Sequence, residues 1–310
     1  MLSLQAVIKG PKQVHVQASE LKNLPAGHVR VKICIAGVCG GDVKNIMNGV
    51  SSPLGHEYTG VIICSNDPKR LVGQRVTGYN SIACGKCTMC KSRWPRACQK
   101  KWLLKEPSIA ETIDVPGRST FVTDLPFNLA ILIEPFAAAI DTLIALPHLD
   151  IPNPKRIIGR GPLATLAKQY AKLTLAERQT THCSQSFWVY SETMLKETID
   201  ACNPMDHLIL CFSPKSIYLD EEALCMIRNL LLTFAVIIAS PNSHFDLAAS
   251  LLDRYAHNFR SIIGEPITLK DAKNLPETIY TNRKLGRKTL VYIDEPIPQV
   301  NESKNKLVNI

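Results

Sequence analysis

The sequence predicts a two-unit α/β protein, with a β-rich, barrel-like unit followed by a unit of alternating strands and helices. Three observations predict it. Residues 1 to about 130 are dense in short β-like runs punctuated by Gly, Pro and Asn. From Glu134 the pattern turns helical, EPFAAAIDTLIALPHL, and stops at the Pro-rich IPNP of residues 151–154. Beyond it, KRIIGRGPLATLAKQYAKL reads as a strand, a Gly-rich turn and a helix with apolar residues three and four apart.

The elements follow in order. HVRVKICIAGV (28–38), GHEYTGVIIC (55–64) and VGQRVTGY (72–79) are strands of the first unit. A cysteine-rich excursion interrupts them between residues 84 and 98. In the second unit, DHLILCF (206–212) and the apolar run of residues 230–239 continue the strand pattern. FDLAASLLDRYAHNF is helix-like, and residues 267–295 give a helix followed by a strand. The closing IPQVNESKNKLVNI is polar and expected to be a loose tail. No internal repeat or low-complexity tract interrupts this order.

Composition narrows the class. At 310 residues the chain can bury roughly 70–75% of its unfolded surface without disulfide staples. The N-terminus lacks the charged-then-apolar pattern of a signal peptide. The apolar run of residues 230–239 falls short of the about 20 residues a membrane span needs. Eleven cysteines point to a reducing compartment, where clustered thiols bind metal rather than pair. A cytoplasmic protein with no membrane partner is the expectation.

The net charge of +9 raises the question of nucleic acid. Eight Lys or Arg and no acid lie between Arg75 and Lys105, around the cysteine excursion. Four thiolates on one zinc form a local dianion, which gives these cations a partner within the lobe. No interleaved aromatics or nucleic-acid module accompany them, so a nucleic-acid partner is not supported.

The strongest chemical signal is CGKCTMCKSRWPRAC, with Cys84, Cys87, Cys90 and Cys98 inside fifteen residues. Four thiolates so spaced enclose one zinc tetrahedrally and leave no open position, so this zinc is structural. Cys39 in CGGD and His56 in GHE supply a second soft thiolate and imidazole, a pairing that suits zinc. Gly159-Arg160-Gly161-Pro162-Leu163-Ala164 follows a strand and opens a helix. That is the context in which glycines let a dinucleotide pyrophosphate approach the backbone and a third small residue lets helix and strand pack.

In this order, the CGGD, GHE, four-cysteine and LIEP segments resemble the medium-chain zinc-dependent alcohol and polyol dehydrogenases, of the sorbitol and threonine dehydrogenase type. The resemblance implies a GroES-like, β-barrel-type catalytic domain (1–150 and 266–310) and a Rossmann-type, doubly wound coenzyme domain (151–265). It implies two zinc ions. Cys39, His56, Glu57 and Glu134 would form the catalytic site, directly or through water, and Asp42 would orient the zinc-bound histidine. Gly159, Gly161, Leu163 and Ala164 would hold NAD or NADP. The implied activity is hydride transfer between a secondary alcohol, a polyol or amino alcohol, and the nicotinamide, with an alcohol or ketone as partner molecule.

Three departures bear on this expectation. The acid that holds the adenosine ribose is replaced by Cys183-Ser184, with Glu177 too early and Glu192 too late. Gly41 stands where a proton-relaying Ser or Thr is usual, and Lys44 where a relay His is common. The passage between Leu230 and Asp253 is short, so a homo-oligomer would use an altered interface. These gaps motivate a second reading, a catalytically weakened member that binds a ligand or partner.

Overall fold

The computed structural model describes residues 2–91, 98, 100–144, 156–159, 161–174, 186–189, 195–200, 207–211, 221, 233–236 and 244–293. Strands β1 (Leu2–Gly10) and β2 (Gln13–Glu20) form an antiparallel hairpin. β3 (His28–Gly37) is the organising strand of the first unit. Its inward residues Val29, Val31, Ile33 and Ile35 alternate with His28, Arg30 and Lys32, the period of a strand with one buried face. Helix α1 (Gly40–Asn48) follows it, then β4 (Glu57–Ser65), β5 (Arg75–Gly78) and β6 (Ser81–Ile82).

The cysteine excursion carries α2 (Thr88–Lys91) and returns through β7 (Trp102–Leu103), which pairs with β6. β8 (Thr112–Pro116) and β9 (Thr120–Val122) add to the barrel-like sheet, on β3 and β5. Short helix α3 (Phe127–Ala130) leads into α4 (Ile133–Ile144). Pro135 sits in the first turn of α4, where a missing N–H costs nothing. By composition Phe127–Ile144 could cross a membrane, but 78% of it is buried inside the protein. α4 is buried on nearly every side, its polar residues Glu134, Asp141 and Thr142 included.

Among the described residues, the second unit has four parallel strands, β10 (Arg156–Ile158), β11 (Ser186–Val189), β12 (His207–Leu210) and β13 (Thr233–Val236). They lie side by side in chain order, so no reversal of strand order falls among the described residues. Helices α5 (Pro162–Thr174), α6 (Leu195–Asp200), α7 (Phe245–Arg254) and α8 (Ala256–Phe259) accompany them. One core joins Leu166, Ala167 and Tyr170 of α5, Phe136 and Ile140 of α4, and Phe245, Ala248 and Leu252 of α7.

The chain then returns to the first unit. β14 (Ile267–Thr268), α9 (Leu275–Lys284) and β15 (Leu290–Tyr292) complete it, and β15 pairs antiparallel with β3. The sheet order is β14-β15-β3-β4-β5-β9, with β8 also on β3. The predicted helix and strand of residues 267–295 are α9 and β15. Cys183-Ser184, Glu177, Glu192, the tail and most of the 222–243 passage lie outside the described residues.

Candidate active site

The four-cysteine lobe is built from backbone as much as from thiols. Amides of Lys86 and Cys87 donate to Cys84 Sγ at 3.5 and 3.4 Å, and the Cys84 amide donates to Cys98 Sγ at 3.3 Å. These amides draw the Cys84 thiol down to about 6. The sulfurs lie 3.9 Å (Cys84–Cys90), 3.5 Å (Cys87–Cys90) and 3.8 Å (Cys87–Cys98) apart. A tetrahedron of 2.3 Å zinc–sulfur bonds has edges of about 3.8 Å. The donor set therefore fits zinc.

The second cluster starts where β3 ends. Cys39 caps α1, and its sulfur accepts from the amides of Gly41 (3.1 Å) and Asp42 (3.3 Å). Asp42 Oδ2 accepts from the Cys39 amide at 2.9 Å, which closes a reciprocal capping box. Asp42 Oδ1 accepts from the Gly55 amide at 3.0 Å. The resemblance implied that Asp42 orients the imidazole; the hydrogen bonds it makes run to backbone amides. Asp42 holds His56 through the loop in front of it.

Gly55 is required there. Its φ of +84° is left-handed, and a Cβ would lie 2.6 Å from Ser108 Oγ. The turn delivers His56 Nδ1 to 3.8 Å from Cys39 Sγ. Glu57, the first residue of β4, and Glu134, in the first turn of α4, bring carboxylates to the same point. Ligand atoms of His56, Glu57 and Glu134 lie within 4.8 Å of one another, as do those of Cys39, Asp42 and His56.

The electrostatics are those of a site crowded with protons. Burial raises the Cys39 thiol, although the neighbouring His56 works against it. Burial disfavours a charged His56, but attraction to Cys39, Glu134 and Asp42 outweighs it and lifts the imidazole well above its ordinary value. Burial, then repulsion from Glu57, pushes Glu134 up to about 7. A divalent cation would take the place of these protons on a thiolate, an imidazole and a carboxylate, a donor set that suits zinc.

Two residues of the site carry no sequence motif. Lys288 makes a buried ion pair with Glu57, each side chain only 3% exposed. Burial opposes its charge, but Glu57 more than compensates and raises it. Gly37 lies beneath, because a Cβ there would overlap Glu57 Oε2 and sit 3.2 Å from Lys288 Cε. Glu57 is thereby committed to a lysine, which leaves Glu134 the freer carboxylate. Asn80, in the turn between β5 and β6, donates from Nδ2 to Glu134 Oε1 at 2.9 Å. Gly41 and Lys44 are exposed on α1.

The glycine turn lies at the end of β10. Gly159 has φ +149°, and nothing stands within 4 Å of a Cβ built on Gly161, so a ligand can approach the backbone. Pro162 opens α5, Ala164 is 1% exposed, and Leu163 packs on the core. Lys168 Nζ donates to the Gly159 carbonyl at 3.0 Å. An open backbone approach before a helix N-terminus fits a dinucleotide pyrophosphate.

Residues 25–126 match the alcohol dehydrogenase GroES-like domain. D-arabitol-phosphate dehydrogenase of Enterococcus avium is 29% identical over 157 residues, 46% of this chain and 45% of that protein. Sorbitol dehydrogenase of Bacillus subtilis is 29% identical over 183 residues, 54% of this chain and 52% of that protein. The chain spans about half the length of these curated relatives. In fold it is similar to the alcohol dehydrogenase RspB of Escherichia coli CFT073, solved with NADH. The TM-score is 0.73 at 19% identity, covering 94% of this chain and 99% of the other. Residues 25–126 are thus an alcohol dehydrogenase GroES-like domain, and the ordered ligand motifs and two-unit fold around it are similar to those of the medium-chain zinc alcohol and polyol dehydrogenases.

Proposed function

We propose that the protein is a zinc-dependent oxidoreductase that moves hydride between a secondary alcohol and NAD or NADP. A polyol or an amino alcohol is the proposed substrate class. The observation that carries this reading is a pair of clusters that share His56, Cys39–Asp42–His56 and His56–Glu57–Glu134, with Glu57 held aside by Lys288. Relatives that act on sorbitol and arabitol phosphate, and a similar fold solved with NADH, support it. In this reading residues 1–150 and 266–310 form the catalytic unit and 151–265 the coenzyme unit.

Zinc at the buried cluster supplies Lewis acidity toward an alcohol oxygen, and the nicotinamide supplies the hydride acceptor. Cys39, His56 and Glu134 hold the metal, and Asp42 fixes the two loops that carry the first two. Lys288 balances Glu57, so the buried charges stay paired. Gly159, Gly161, Leu163 and Ala164 form the turn at which the pyrophosphate rests. With no hydroxyl at Gly41, proton release to solvent falls to water, and turnover is expected to be slow.

The test is a screen of alcohols and ketones with both cofactors, read at the reduced-nicotinamide absorbance band, beside zinc analysis. Two zinc ions per chain and polyol oxidation that disappears in His56→Ala are the expected results. Zinc-replete protein that binds neither cofactor and oxidises nothing would favour a ligand-binding member of the family, as Gly41 motivates.

A further inference from the structure

We infer that Asn80 is a specificity-determining residue of the buried cluster: it orders Glu134 with one end of its carboxamide and accepts a second donor of the substrate with the other. The inference rests on the proposed metal-dependent alcohol chemistry and deepens it. It concerns which alcohols the site prefers.

Asn80 is fixed at both ends of its structure. Its backbone carbonyl accepts from the Leu104 amide at 2.9 Å, which ties the turn to the strand leaving the lobe. Its side-chain Nδ2 donates to Glu134 Oε1 at 2.9 Å. The sense of the amide follows from the charge it meets. With Glu134 ionised, as metal ligation requires, an amide oxygen in the place of Nδ2 would repel the carboxylate. Nδ2 therefore faces Glu134, and Oδ1 must face elsewhere.

Asn80 Oδ1 is buried and accepts no hydrogen bond among the described residues. A buried amide oxygen without a donor is destabilising, and native proteins keep few of them without a reason. Because Oδ1 shares one carbon with Nδ2, it lies within about 5 Å of Glu134 Oε1. It is thus an acceptor beside the carboxylate assigned to the metal. Lys288, the nearby buried cation, is committed to Glu57. The group that would complete Oδ1 must be a donor brought by the ligand.

An alcohol whose neighbouring carbon bears a hydroxyl or an ammonium carries that donor, whereas a simple secondary alcohol leaves the acceptor empty. A site built to bond a substrate donor discriminates against the analogue that lacks it. One hydrogen bond of ordinary strength corresponds to about tenfold in binding.

The experiment uses the full chain with cobalt(II) in place of zinc and no nicotinamide, so that binding is read without turnover. Uptake of two cobalt equivalents is measured first and reports on the metal centre itself. Titration with 2-propanol, 1,2-propanediol and 1-amino-2-propanol then follows the visible cobalt absorption. The unmodified chain should bind the diol or the amino alcohol about tenfold more tightly than 2-propanol. Whichever of the two wins identifies the donor. Asn80→Ala should reduce that preference to within about twofold, because loosening Glu134 affects every alcohol alike while only the two-donor ligand loses the bond to Oδ1. Asn80→Ser, a smaller change, serves if the alanine variant does not fold. Two cobalt equivalents with no preference, or a preference unaltered by either variant, overturns the inference alone. Uptake of one equivalent overturns the proposed metal centre as well.

Discussion

The four-cysteine lobe and the buried cluster gather metal-binding side chains by opposite means. In the lobe, all four donors come from fifteen residues, and backbone amides of the same loop stabilise the sulfurs. Gly85, Lys86 and Lys91 beside these donors are exposed. In the cluster, Cys39 caps the helix after a strand, His56 precedes another strand, Glu134 lies in the first turn of a helix, and Lys288 arrives beside the last strand. The lobe is a local object that needs only its loop and its metal. The cluster is a product of the whole sheet, and its charges are tolerable only because each has a fixed partner.

The largest effect expected from breaking this contrast is in the lobe. Cys90→Ser removes one of four thiolates and with it most of a metal-binding free energy that reaches about 10–16 kcal/mol in zinc-finger peptides. Zinc analysis should fall from two ions to one per chain, with loss of solubility or of the thermal transition. If the lobe is local, the remaining zinc stays in the cluster.

The next effect is in the cluster. Lys288→Met strands the buried Glu57 carboxylate and should cost about 3–5 kcal/mol, read by chemical denaturation of the zinc-loaded protein. Adding Glu57→Gln should recover much of that loss, because no unpaired charge remains. A single variant as stable as the unmodified chain would mean that the ion pair does not hold the site.

A pH series sharpens the same contrast. Burial holds the Glu134 carboxyl at about 7, above its ordinary value of 4.5. The folded, cluster-metal-free protein therefore binds this proton more tightly than the unfolded chain. Stability falls as pH rises from about 4.5 through about 7, and then levels. Glu134→Gln should match the unmodified chain near the bottom of that window and exceed it above the top. Thermal midpoints across the range check this, and equal pH slopes for the two would contradict it.

The smallest effect on stability belongs to Gly161→Val, since open space surrounds the new Cβ. Zinc content and thermal midpoint should barely change, while binding of NADH and NADPH, read by fluorescence, should disappear. Retained cofactor affinity would put the dinucleotide elsewhere.

How far these regions could be read from the chain follows the same division. The lobe was legible because its geometry is contained in its spacing. Cys39, His56 and Glu134 were legible because each sits in a short string tied to a turn or helix start, such as Gly55 before His56. Lys288 and Asn80 were not. A lysine in RKTL or an asparagine after Tyr79 has no local mark of function; the register of the last strands and the turn after β5 aim them. Asp42 accepts from the backbone amides of Cys39 and Gly55, and sequence alone does not separate such a capping carboxylate from a histidine-orienting one. The second unit was legible as strands and helices, and β10 to α5 lie where the Gly-rich turn predicted.

The Lys288–Glu57 pair also sets an order of events during synthesis. Its partners are 231 residues apart. Chains are made from the N-terminus at about 5–20 residues per second, and domains fold as they emerge. The lobe can take its zinc soon after Cys98 appears, while Glu57 stays without its counter-ion until the final strands are released. A nascent chain therefore spends many seconds with one metal site finished and the other open to water, to chaperones and to whichever divalent ion reaches it first.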